Sequence, residues 1–219
     1  MSDTGQYRSR RLVADLAGMV RLAYKALGEA TAALLDIADT AAENATAAEK
    51  ALYELREEIE DDASVVPADG SPTVDPRAIV VGVHVGTDVE CLAALARQLV
   101  ELAWARQSRQ PLPSRLRLPL QGMGNLALTM VGKAGDVLES RESEAVADLL
   151  GDLHEIAQRQ RLLYRRMLAE ADQADQTDQA EPGDVADATL LSCCYQRCAS
   201  HAVSLARHAD LFADFMPTG

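Results

Sequence analysis

Apolar and small residues recur along this chain at steps of three and four, the period that places them on one stripe of an α-helix. The clearest stretch is Val85 to Ala103, VGTDVECLAALARQLVELA, with Val85, Val89, Leu92, Ala96, Leu99 and Ala103 in register. The same spacing returns at Leu191, Tyr195, Cys198, Ala202, Leu205 and Ala209. One core helix is therefore written twice, at an offset of 106 residues.

Read in order, the pattern predicts six helices. The first covers about Gln6 to Ile37, with Leu12, Leu16, Met19, Ala23, Ala26, Ala30 and Leu34 inward. Thr40 followed by Glu43 has the form of a capping box, so a second helix restarts there and runs to about Ala63, burying Ala48, Leu52, Leu55 and Ile59. Its acidic end (Glu57, Glu58, Glu60, Asp61 and Asp62) opposes the helix dipole and is expected in solvent. After the Pro- and Gly-bearing loop from Pro67 to Arg77, Asp75 and Pro76 read as N-cap and first position of the third helix. Gly82 and Gly86 in that helix are expected to admit a neighbouring helix closely. RQSRQPLPSR, from Arg106 to Arg115, is the natural boundary between residues 1–108 and 109–219.

The second half repeats the first. Leu16, Gly18, Met19, Leu22, Ala23, Gly28, Ala30 and Leu34 recur as Leu120, Gly122, Met123, Leu126, Ala127, Gly132, Ala134 and Leu138, all at an offset of 104. A fifth helix, about Ser143 to Ala171, is expected to bury Val146, Leu150, Leu153, Ala157, Leu163 and Met167. The polar DQADQTDQAEPGD segment leads to a sixth helix from near Pro182 to near Phe215. The fold class that follows is all-α, two tandem antiparallel three-helix bundles with an internal repeat.

Composition agrees: 48% of the 219 residues are hydrophobic but only 4% aromatic, which suits interdigitated Ala/Leu helices. The net charge of −13 argues against nucleic-acid binding, which needs a basic face. MSDTGQYRSRR has no apolar run after its arginines, so neither a secretory signal nor a membrane anchor is expected there. His84, Asp88, Glu90, Arg97 and Glu101 make the apolar third helix costly to place in a bilayer. Four cysteines without framework spacing point to reduced thiols in a cytoplasmic protein. The chain shows no phosphate loop or nucleophile elbow, so no catalysis is expected.

Candidate ligand sets are few. His84, Asp88 and Cys91 share a helix face, as do Cys194, Cys198 and His201, and thiolate with imidazole would suit zinc or ferrous iron. Packing cysteines with edge histidines explain the same spacing. His154 and His208 are expected at the solvent edge.

Three segments resemble the PhoU family of phosphate-transport regulatory proteins, built as two tandem three-helix bundles. VDPRAIVVGVHVGTDVECLAALA is similar to its Asp-x-Arg opening and Asp-x-Glu-Arg stretch, through Asp75, Arg77, Asp88 and Glu90. TLLSCCYQRCASHAV is similar to its Leu-Glu-Arg-φ-Ala-Asp-His-Ala segment, through Arg197, Ala199, His201 and Ala202, and GMxxLA at Gly18 and Gly122 suits its first and fourth helices. The resemblance implies a non-enzymatic cytoplasmic regulator, peripheral at the membrane through its partners. Those partners would be the ATPase subunit of a phosphate importer and a membrane sensor kinase, with Asp75 and Arg77 as contact residues and a homodimer as the family's habit. It also implies metal clusters held by Glu-x-x-x-Asp pairs, with Asp88 and Glu90 at metal positions. Here the paired positions are Glu90 with Ala94 and Gln196 with Ser200, too little negative charge for a multinuclear cluster. No cofactor is therefore expected, beyond a weakly held divalent metal. Two alternatives to the regulator stand beside it: a metal-responsive helical protein using Cys194, Cys198 and His201, and a divergent scaffold paralogue.

Overall fold

A computed structural model of the chain describes residues 3–35, 40–64, 76–140, 144–171 and 181–215. They form six helices: α1 (Asp3–Leu35), α2 (Ala41–Ser64), α3 (Pro76–Arg106), α4 (Ser114–Ser140), α5 (Glu144–Ala171) and α6 (Pro182–Phe215). No strand occurs among the described residues. Helix α2 starts where the capping pattern places it, with the Asn44 amide donating to the Thr40 carbonyl at 3.0 Å. Helices α3 and α6 both open on proline, whose missing N–H costs nothing in the first turn.

Helices α1, α2 and α3 pack on one another, as do α4, α5 and α6, and the two triplets join through α1 against α4 and α3 against α6. The core is continuous across that junction. The seam of α3 from Val85 to Leu99 and that of α6 from Leu191 to Ala209 are buried, except that Ala103 is only half-buried. Helix α3 is the one described helix long and apolar enough to cross a membrane. Its apolar stripe is instead spent against α1, α2 and α6, which makes it a core helix.

The repeat is visible in the contacts themselves. A β-carbon on Gly28 would meet Leu128, and one on Gly132 would meet Tyr24, which is the same contact with both partners shifted by 104. Gly124 against Thr31 and Gly135 against Val20 form a second such pair. Gly18 against Leu55 and Gly122 against Arg159 form a third, within the triplets. The two halves are thus related by an internal two-fold, and α1 runs antiparallel to α4.

Two expectations need correction. On α5, Leu150 is 41% exposed, whereas Leu149, Ile156, Gln160 and Leu163 are buried. The inward stripe is rotated by about one position, since adjacent leucines at 149–150 and 162–163 offer two faces of nearly equal hydrophobicity. On α3, Gly82 does admit a neighbour, Leu12 of α1, but Gly86 has nothing within 4 Å of its would-be β-carbon.

Candidate functional site

The third and sixth helices cross with a polar group trapped between them. Asp88 projects from α3 and is 7% exposed. One carboxylate oxygen lies 3.0 Å from His201 Nδ1 and the other 3.2 Å from His208 Nδ1, both on α6. His201 and His208 are seven apart, two turns on one helix face, so both reach the same carboxylate. His84, one turn before Asp88, stacks on the His208 ring with centroids 4.7 Å apart and planes 15° apart. Burial pushes the Asp88 carboxyl up, but hydrogen bonds from His201, Ser204 and His208, with the His201 charge, outweigh it and hold the group below its ordinary value. Asp88 is therefore an ionised acceptor for both imidazoles, a buried charge compensated by hydrogen bonds rather than by a lysine or arginine.

The two-fold places a second contact opposite this one. Asp88 and Ser204 map, through the 106-residue offset, onto Cys194 and Gln98, and Cys194 Sγ lies 3.6 Å from Gln98 Oε1. The midpoint of this antiparallel register falls at Ala93 and Ala199, both 0% exposed. One end of the helix pair thus carries carboxylate and imidazoles, and the other carries a thiol and an amide.

The predicted residues separate accordingly. Glu90 leaves Asp88 and points towards α2, where Arg56 Nη1 lies 2.9 Å away. Ala94 and Gln196 are half-buried, and exposed Ser200 donates to the Gln196 carbonyl at 3.1 Å. Cys198 is buried near Leu27, Thr31, Gly124 and Tyr195, towards α1 and α4, while His201 serves Asp88. Burial raises the thiols of Cys194 and Cys198, so both stay protonated at neutral pH. Among the described residues no three His, Cys, Asp or Glu side chains are arranged to hold a metal ion. The residues at the family's metal positions do not fit a multinuclear cluster, because Glu90 is the one carboxylate of the four paired positions and is engaged by Arg56, while Asp88 is taken up by His201 and His208. Arg77 lies in the first turn of α3, and Asp75 lies outside the described residues.

His208, expected at the solvent edge, is instead half-buried on Asp88. The signal that could have found it is the shared face of His201 and His208. Exposed His154 contacts Gln158 within its own helix.

Around the site, ion pairs fix the helices. Arg97 donates to Glu49 at 2.8 Å through Nε and to Tyr53 at 3.3 Å, holding α3 to α2. Arg106, 8% exposed, binds Asp184 at 2.9 Å, Asp187, and the Gln110 carbonyl at 3.0 Å. This ties the end of α3 and the inter-triplet connection to the start of α6.

Six helices with an internal two-fold, and a compensated polar group where equivalent helices meet, define a tandem-repeat helical bundle. No family model matches the sequence. The chain is 30% identical over 199 residues to the phosphate-specific transport system accessory protein PhoU homolog 2 of Mycobacterium bovis, covering 88% of each. It is 27% identical over 213 residues to PhoU homolog 1 of Mycobacterium tuberculosis, covering 97% of this chain and 92% of that one. The crystal structure of PhoU from Pseudomonas aeruginosa superposes with a TM-score of 0.76 at 14% identity, over 94% of this chain and 96% of that one. The chain belongs to the PhoU family.

Proposed function

We propose that this chain is a non-enzymatic regulator that modulates phosphate import and phosphate-starvation signalling through protein contacts. The observation that carries the reading is the match along 88% of both chains to a phosphate-specific transport accessory protein. The net charge of −13 supports partners with basic patches and disfavours nucleic acid. In this reading the protein works in the cytoplasm, at the membrane through its partners: the ATPase subunit of a phosphate importer and a membrane sensor kinase. Arg77, at the outer end of α3, is a contact residue for them, and the form that meets them is a homodimer. Residues 1–108 and 109–219 are the two structural repeats that present its surfaces.

Pull-down of the importer ATPase and of the kinase with folded protein tests the reading. Retention of at least one, weakened in Arg77→Ala, is expected. Failure with both, by protein whose circular dichroism is helical, overturns it.

A further inference from the structure

An apolar groove of about 280 Å³ opens along the first half of α3, between that helix and α2. Leu16 and Met19 of α1, both buried, form its floor, with Leu12 and Ile59 beside them. Its α3 side carries Ile79 and Val83, 46% and 63% exposed, and the adjoining Val80 is 58% exposed. Gly82 and Gly86 also line it, and the would-be β-carbon of Gly86 meets nothing within 4 Å. Exposed aliphatics beside an apolar groove make a patch of the kind that marks an interaction surface.

The internal repeat supplies a comparison. In the second half Ala188 and Ser192 stand where the first has Gly82 and Gly86, at the 106-residue offset. Gln160, Leu163 and Tyr164 stand where it has Arg56, Ile59 and Glu60, at the 104-residue offset. There the cleft is filled: Ala188 and Ser192 are 0% exposed, and Ser192 Oγ lies 3.0 Å from Tyr164 Oη and accepts from Gln160 at 3.4 Å. The outward positions of α6 are Ala186 and Thr189 in place of Val80 and Val83. One bundle closes this cleft with its own side chains, and the other leaves it open and lines it with aliphatics.

The rim is acidic. Arg56, the one base among the described lining residues, is already held by Glu60 at 2.7 Å and Glu90 at 2.9 Å. Residues 54–91, which supply both walls and the connection between them, carry ten carboxylates against two arginines, so the sign stands wherever that connection lies. Residues 1–16 add three arginines and two carboxylates and do not reverse it. A second copy of the chain would set this acidic face against itself, since a two-fold dimer uses the same patch on both sides. A basic partner is drawn to it instead. The shape selects a helix: the groove follows α3 from Ile79 to Glu90, about 16 Å or three turns, and glycines four apart let a backbone come close.

We infer that this groove is the docking site for an amphipathic helix of a partner protein, with apolar side chains at i, i+4 and i+7 seated between α2 and α3 and lysines or arginines beside them on the acidic rim. The inference rests on the regulatory reading for the kind of partner, a protein with a basic surface, and names the place where that partner is met.

The probe is a fluorescein-labelled peptide of about 15 residues, with leucines at i, i+4 and i+7 among lysines and alanines, titrated with the full chain and followed by anisotropy. Saturable binding is expected, weaker by about tenfold or more when the lysines become glutamates or the leucine spacing is scrambled. Gly86→Leu fills the groove from within, and Val83→Glu makes the face less apolar though more acidic. Each should weaken binding about tenfold or more, while Thr189→Glu, at the equivalent place in the second half, should leave it unchanged. Circular dichroism checks that the variants fold. No binding overturns the assignment, and so does equal binding by wild type, Gly86→Leu and Val83→Glu, which is adsorption by charge elsewhere. A dimer in sedimentation that Val83→Glu dissociates would put a second copy in the groove. Tighter peptide binding after residues 65–73 are replaced by glycine and serine would put the chain's own connection there, and either result overturns the assignment. The probe involves neither the ATPase nor the kinase, so its failure leaves the pull-down result standing, and a failed pull-down leaves the groove standing.

Discussion

Replacing Asp88 isolates what the polar group between α3 and α6 contributes. Asp88→Ala removes the acceptor shared by His201 at 3.0 Å and His208 at 3.2 Å. Hydrogen bonds to a charged group contribute about 1.5–3 kcal/mol each in net terms. The histidine side chains are both 25% exposed, so water recovers part of that. The net loss should be about 2–4 kcal/mol, and Asp88→Asn, which keeps the shape and one acceptor, should lose about half as much. Equilibrium urea unfolding at neutral pH measures both through the midpoint, with the slope unchanged if the unfolding remains two-state. For a chain of this size each kcal/mol moves the thermal midpoint by about 2–4 °C.

The pH dependence gives a sharper check. The Asp88 carboxyl is held below its ordinary value in the fold, so its contribution is full above the unfolded carboxylate pKa of about 3.9 and is lost as pH falls through the folded one. The stability gap between wild type and Asp88→Asn should therefore close in acid. A loss under about 0.5 kcal/mol in Asp88→Ala, or a gap that persists or widens in acid, would refute the reasoning.

Arg106→Met should cost about 3–5 kcal/mol, because it strands Asp184 without its cation and leaves Asp187, likewise only 15% exposed, with half-exposed Arg109 alone; urea unfolding showing less than about 1 kcal/mol would contradict a buried lock. Gly124→Ala should be worse than Gly132→Ala by about 1–3 kcal/mol. At Gly124 a β-carbon would sit 3.1 Å from the buried Tyr195 ring, whereas at Gly132 it would make an ordinary 3.6 Å contact with exposed Tyr24. Equal thermal midpoints for the two would rule out the packing argument. Native-state alkylation followed by peptide mass mapping should label half-buried Cys91 and Cys193 ahead of Cys194 and Cys198, whose thiols are buried and protonated. Early modification of Cys198 would show the α6 seam to be open.

The helices, their starts at Pro76 and Pro182, and the duplication were readable because each rests on local period or local capping. The rotated stripe of α5 was not, since its leucine doublets leave the choice of face to packing partners. The group on Asp88 joins residues 113 and 120 positions apart, and nothing local specifies an antiparallel register. The information was nonetheless present. The 106-residue offset makes Asp88 and Cys194 equivalent, so the site lies where the two copies disagree, and its ligands come from two helices rather than from one face of either.

The disagreement between the two copies is one that only a tandem chain can hold. A homodimer of one ancestral three-helix unit would have had to spend the same side chains at both ends of its dyad, so any change at Asp88 would also have been a change at its mirror position. In one chain the two ends differ: Cys194 meets Gln98 at one, and Asp88 meets His201 and His208 at the other. A tandem chain is thus free to be one-sided where a homodimer of a single unit is not. The first half expressed alone, even self-paired, would present leucines at 95 and 102 where the second supplies its histidines, and could not rebuild the site.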